Sequence, residues 1–311
     1  MSDPIEIVNL RKQYKDFVAV NDLTFSVKKN SFTGFLGPNG AGKSTTLKIL
    51  THLISATSGN AYLNGIDVTI DAKNALKGVG TVVETPEFYG YLTPTQTFQY
   101  IGGIYGMSRE SIAAQTDEIL ADVKMTEWAD KKISTFSKGM KQRVSLGLSL
   151  LNDPSIIILD EPTSGLDPRG MAETRQILKN LRNKNNNLTI LMSSHMLHEV
   201  SDLCDRITLI NHGALLMEGT MEEVLGANNA RNISVKIVGG PTEEAANAIA
   251  KLQNVNSAQV SGSVIKVGFN GGDEDQMQLL KEITDLGIKV FSFNEEDALE
   301  SIYLNMIKES R

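Results

Sequence analysis

A chain of 311 residues is long enough for one large domain and a small one, and 41% hydrophobic with 22% charged residues is ordinary for a globular protein. The net charge of −7, with no dense basic tract, argues against sequence-independent nucleic-acid binding. Cys204 is the only cysteine, which excludes an intrachain disulfide and a thiolate zinc cluster, and apolar runs such as Ile156 to Leu159 are far shorter than the roughly 20 residues of a membrane span.

The start, Met-Ser-Asp-Pro-Ile-Glu, lacks the basic and apolar segments of a signal peptide, so the expectation is a cytoplasmic chain that reaches a membrane only through a partner. Ile5 to Leu10 and Val18 to Val27 alternate apolar and polar residues and read as strands of an antiparallel edge. Ser31 to Leu36 is a short strand. Residues 37–45 follow it as Gly-Pro-Asn-Gly-Ala-Gly-Lys-Ser-Thr, which fits Gly, four residues, Gly, Lys, Ser/Thr. Gly37, Gly40 and Gly42 let the backbone take positive φ and curl its N–H groups around a phosphate. Lys43 supplies a charge for the terminal phosphates, and the Ser44 hydroxyl is placed to ligate Mg²⁺. Ser44 to Ile54 then predicts a helix with Leu47, Leu50, Leu53 and Ile54 on one face, its N-terminus favouring an anion.

Ala61 to Val68 predicts a strand pair turning at Asn64-Gly65, and Gly78 to Val83 a short strand. Residues 93–152 turn helical and form a helical subdomain. Within it Ser137 is a good N-cap, and Gly139 allows close backbone approach at a second helix N-terminus. Ile156 to Leu159 is a buried strand ending in Asp160 and Glu161, which puts two carboxylates at the carboxyl edge of a parallel sheet, where ligands bind. Asp160 can hold Mg²⁺ through its water shell, and Glu161 can orient and deprotonate an attacking water. Arg169 to Arg182 predicts an amphipathic helix, Leu188 to Met192 a strand, and residues 206–217 a hairpin around His212-Gly213. Strands alternating with helices imply an α/β core.

Gly-Ala-Asn-Asn-Ala at 226–230 interrupts the pattern, so the expected division is 1–227 and 228–311. The second part reads βαββαβ: strands at Ile233–Val238, Val255–Val260, Val264–Phe269 and Lys289–Phe293, helices at Glu243–Leu252, Glu274–Leu286 and finally residues 296–308. That order predicts a small α+β, ferredoxin-like unit.

These motifs together resemble the nucleotide-binding subunit of ABC transporters over residues 4–220, in family order. Ser137-Lys-Gly-Met-Lys-Gln142 is similar to that family's signature, with Lys138 and Met140 departing from its commonest form. The resemblance implies ATP and Mg²⁺ as ligands. It implies that Asn39 and Thr45 belong to the phosphate loop and that Ser137 and Gly139 contact nucleotide. It also implies that Asp167, in Ser164-Gly-Leu-Asp167, belongs to a loop across a dimer interface. His195 matches the switch histidine, and Tyr14 resembles the aromatic that stacks on adenine. His52, His198 and His212 match nothing in the family and read as ordinary helix or turn residues.

The chain carries one set of motifs, so a head-to-tail pair needs a second ATP-binding subunit, a homodimer being the simplest. The work implied is ATP-driven movement of an integral membrane permease, with no nucleic-acid partner. Glu84 stands where the family usually has glutamine, a position expected to sense the γ-phosphate through Mg²⁺ or water. With Phe88, Tyr89 and Tyr91 just beyond, it looks like the bacitracin and lantibiotic exporter branch, the aromatics reading either as core or as a socket for a membrane-domain helix. A soluble non-transport ATPase is the rival within the class, opposed by the single cassette and acidic charge. A nucleotide-gated module without turnover is the rival outside it, opposed by Glu161.

Overall fold

Alternating burial along the first 27 residues builds two antiparallel strands, β1 (Ile5–Tyr14) and β2 (Phe17–Val27), with Ile5, Ile7, Leu10, Val20, Leu23 and Val27 turned to the core. The computed structural model describes residues 2–84, 86–185, 187–226, 231–295 and 298–309. β3 (Phe32–Leu36) is buried at every position, as a central parallel strand must be. α1 (Lys43–Leu50) follows the glycine loop, then β4 (Ser58–Leu63) and β5 (Ile66–Asp67), joined through Asn64 and Gly65 at φ 50° and 77°. Both positive values are what a two-residue Asn-Gly hairpin turn requires.

The predicted helix to Ile54 is shorter than expected. α1 ends at Leu50, His52 turns left-handed at φ 56°, and Leu53 is 58% exposed instead of lying on the buried face.

α2 (Ala72–Ala75) and β6 (Val79–Val82) lead to a helical segment of α3 (Pro94–Ile104), α4 (Arg109–Asp122) and α5 (Lys138–Leu150). α3 starts sharply because Thr93 and Gln96 form a reciprocal capping box with Pro94 at the first helical position. β7 (Ile156–Asp160), α6 (Pro168–Lys184), β8 (Thr189–Ser194), α7 (Leu197–Leu203), β9 (Arg206–Asn211) and β10 (Ala214–Thr220) complete this part, and α8 (Met221–Gly226) follows.

Two sheets result. One is six-stranded, ordered β10-β9-β3-β8-β7-β6, parallel except for β10. The other is four-stranded and antiparallel, ordered β2-β1-β4-β5, so β1 is an interior strand of it. α1 sits in the core the two sheets share: Leu47, Ile49 and Leu50 join Phe25 and Phe35, whose rings stack at 5.1 Å.

The chain divides into two compact units, residues 1–221 and 222–311, while the expected boundary at 227/228 falls outside the described residues. The second unit runs β11 (Arg231–Ile237), α9 (Glu243–Ile249), β12 (Val255–Ser261), β13 (Val264–Phe269), α10 (Asp273–Asp285), β14 (Val290–Glu295) and α11 (Ala298–Glu309). The start of the expected last helix, at 296, lies outside the described residues. The sheet order β12-β13-β11-β14, antiparallel throughout, is the ferredoxin-like arrangement expected for βαββαβ. It closes its own core around Ile233, Val235, Ile249, Ile265, Val267 and Phe269.

Candidate nucleotide site

The glycine loop sits at the carboxyl end of β3, the middle of the parallel sheet, and delivers the chain into α1. Gly42 caps that helix at φ 104°, and a Cβ there would lie 2.5 Å from the Ala19 carbonyl oxygen. Only glycine meets both demands. Gly37 does not take the expected positive φ and is confined by space alone, its Cβ position lying 2.5 Å from the Ile210 carbonyl oxygen. Asn39, Gly40 and Ser44 are exposed and Thr45 half-buried, so the loop faces outward while its ends are clamped.

Lys43 is 5% exposed, and its Nζ donates to the carbonyls of Gly37 at 2.7 Å and Pro38 at 3.2 Å. Burial pushes its pKa down, the charges of Glu161 and Asp160 working against that shift. An ammonium short of solvent and hydrogen-bonded to two loop carbonyls has contacts that phosphate oxygens could replace.

Across β7 and β8 three carboxylate and imidazole groups converge. Glu161 Oε1 lies 3.8 Å from Lys43 Nζ and 3.2 Å from His195 Nδ1. Glu161 is held at φ 44°, a left-handed value that a bulky residue adopts only where its surroundings fix it. The fixing residue is Ser193, which is fully buried. Its hydroxyl donates to Asp160 Oδ1 at 2.5 Å and accepts from the Glu161 backbone N–H at 2.9 Å. Sequence reasoning missed Ser193. The signal available was a hydroxyl near the end of an otherwise apolar strand, but its pairing with Asp160 depends on the β7–β8 register. Glu199, 1% exposed, accepts from the Ser194 hydroxyl and supports the same turn into α7.

Ser44 and Asp160 carry hard oxygen donors, of the kind Mg²⁺ takes alongside substrate phosphates and water. Among the described residues no cluster of three or more His, Cys, Asp or Glu could hold a metal ion. Glu84 is half-exposed, and its carboxylate accepts a hydrogen bond from Lys48 on α1.

The other expected residues are placed by elements of their own. Ser137 caps α5, accepting from the Met140 N–H at 3.2 Å, and Asp167 caps α6, accepting from the Gly170 N–H at 2.7 Å. Together with Gly139, Lys138, Gly165 and Arg143 they border one hollow, and no phosphate-loop residue lines it. Tyr14 ends β1, 45% exposed, with Lys12 Nζ 4.9 Å from its ring centre. Past Glu84, Phe88, Tyr89, Tyr100 and Tyr105 line a groove. The Tyr89 ring stands edge-on to Tyr100 at 6.1 Å and tilted to Tyr91 at 5.8 Å. His52 and His212 occupy turns and His198 lies on α7; the N–H of Gly213, next to His212, donates to the Ala41 carbonyl of the phosphate loop at 2.9 Å. Among the described residues no helix is long and apolar enough to cross a membrane.

The family model for the ABC transporter matches residues 20–164. The linearmycin resistance ATP-binding protein of Bacillus subtilis is 32% identical over 305 residues, covering 97% of each chain. The bacitracin transport ATP-binding protein of Bacillus licheniformis is 33% identical over 309 residues, covering 99% of this chain and 98% of its own. Among solved structures, a dimeric ATP-binding cassette in a post-hydrolysis state with ADP and phosphate superposes with a TM-score of 0.62 at 25% identity, covering 70% of this chain and 98% of that one.

Proposed function

The chain belongs to the ABC transporter family as an ATP-binding, ATP-hydrolysing subunit, and on that premise we propose that it powers export of an antimicrobial peptide or other amphipathic compound through a separate membrane permease. The observation that carries this reading is the convergence of Lys43, Asp160, Glu161 and His195 at one sheet edge, in a chain whose relatives over nearly its whole length serve bacitracin transport and linearmycin resistance.

In the proposed reaction the loop N–H groups and Lys43 hold the triphosphate. Glu161 takes the proton of the attacking water, and His195 steadies both the Glu161 carboxylate and the terminal phosphate. Mg²⁺, held by Ser44 and by Asp160 through water, would neutralise phosphate charge. Ser137, Gly139 and Asp167 share a hollow that no phosphate-loop residue lines, which supports their acting on nucleotide bound to a second subunit. We read that subunit as another copy of this chain. Tyr14 would stack on adenine. The tyrosine-lined groove beyond Glu84 is exposed and mixes aromatic rings with polar groups, and it would receive a helix of the permease, holding the chain at the inner face of the membrane.

The test has two arms. Removing the chain from its host should raise sensitivity to bacitracin, linearmycin or a lantibiotic, and restoring the wild type, but not Glu161→Gln, should reverse it. Purification of the tagged chain should bring a membrane protein with it. Unaltered sensitivity to all three classes, with no membrane protein retained, overturns the exporter assignment.

A further inference from the structure

Glu84 follows β6 at φ 76°, a backbone conformation that an acidic residue keeps only when its neighbours fix it. Its carboxylate is engaged by Lys48. Both side chains have water within reach, at 59% and 30% exposure, so burial alone does not force the pairing. Lys48 stands four residues after Ser44 on α1, on the same helix face as the start of the phosphate-binding turn. The hydrogen bond to Glu84 raises the Lys48 pKa above its ordinary value; burial opposes this, and the charges of Glu84 and Asp160 add to it. The pair therefore joins the nucleotide helix to the strand end that opens the aromatic groove.

A carboxylate beside a triphosphate is repelled by it and, when ionised, has no hydrogen to donate. Asp160 and Glu161 already place two negative charges at the same sheet edge. We propose that Lys48 is a positioning residue, which cancels the Glu84 charge and fixes the direction of its carboxylate, so that an acidic side chain can stand next to bound nucleotide. This rests on the reading of Glu84 as facing the nucleotide. Its distinguishing consequence is conditional: Lys48 matters for nucleotide binding only while residue 84 is acidic.

The experiment is a double-mutant cycle in the full chain, reading the affinity for a non-hydrolysable ATP analogue with Mg²⁺ by calorimetry. Lys48→Gln should weaken binding by about two- to fivefold, the range expected for losing one partner of a solvent-accessible charge pair. Lys48→Arg should stay near wild type. Glu84→Gln sets the second background, in which Lys48→Gln combined with Glu84→Gln should bind no worse than Glu84→Gln alone. A Lys48→Gln loss of the same size in both backgrounds overturns the proposal, since Lys48 would then act on nucleotide directly or only support α1. No loss in the wild-type background overturns it equally. Should Lys48→Gln not fold, Lys48→Met carries the same comparison. Failure of the wild type to bind the analogue would instead strike the nucleotide-site reading itself.

Discussion

His195 Nδ1 lies 3.2 Å from Glu161 Oε1, joining the residue just past β8 to the residue just past β7 at the carboxyl edge of the parallel sheet. The contact suits the task proposed for each. Glu161 needs a fixed direction to serve as base, and an imidazole N–H is a donor that fixes it without removing its charge.

Glu161→Gln keeps the shape of the side chain and removes its basicity. ATP binding should persist while turnover falls by about 10²–10⁴-fold, the usual worth of a general base. His195→Ala should also bind ATP and should lower turnover, because Glu161 loses its orienting donor. Lys43→Ala should differ from both by weakening binding itself. Steady-state hydrolysis beside equilibrium binding separates the three, and unchanged hydrolysis in Glu161→Gln removes the role assigned to it.

Ser193→Ala tests a residue whose importance is structural first. The substitution strips a hydrogen bond from Asp160 and leaves the Glu161 N–H without its acceptor, inside a fully buried position. The expected cost is about 1–3 kcal/mol of unfolding free energy. Hydrolysis should fall more than ATP affinity, since the loop N–H groups and Lys43 are untouched. Denaturant unfolding and the same two nucleotide assays check it. Stability and turnover both equal to wild type would show the bridge to be incidental.

The strands were legible because burial writes itself into composition: Ile156 to Leu159 is apolar throughout and is buried throughout. The glycine loop was legible because its backbone admits no other residue at Gly37 and Gly42. What escaped depends on chain partners distant in sequence. The Ser193 bridge exists only in the β7–β8 register, and Lys48 meets Glu84 across a helix and a strand end 36 residues apart. The early end of α1 escaped for a local reason. Leu53 keeps the helical spacing of Leu47 and Leu50, but His52 turns left-handed before it. His195 and Tyr14 stood out by resemblance alone, for neither residue type in a strand or strand end announces a nucleotide.

Lys43 carries a stability cost with a definite sign. Its folded pKa lies below the ordinary 10.5 because burial disfavours the ammonium. The unfolded chain therefore binds that proton more tightly, and the penalty is fully present at neutral pH and fades as pH rises from the folded pKa towards 10.5. Lys43→Met should be more stable than wild type in nucleotide-free protein at pH 7 and should lose ATP binding. The stability gap should narrow on raising pH through that window. A gap that is constant with pH, or a less stable Lys43→Met, contradicts the burial account.

The last prediction concerns the second unit. Its core residues, from Ile233 to Ile283, pack among themselves, and every residue assigned to nucleotide lies before position 200. The division proposed on that basis makes the first unit sufficient for nucleotide. A chain ending after Leu225 should be soluble, should unfold cooperatively, and should bind ATP with the affinity of the full protein. It should also keep basal hydrolysis, because Lys43, Asp160, Glu161, Ser193 and His195 all remain. The six-stranded sheet retains β10, whose pairing with β9 ends at Thr220, so the truncation leaves no strand of that sheet unpaired. Circular dichroism, thermal unfolding and calorimetric titration with ATP check these points in turn. A truncated chain that is soluble and well folded yet fails to bind ATP would mean that residues after 225 contribute to the site, and the proposed division would be wrong.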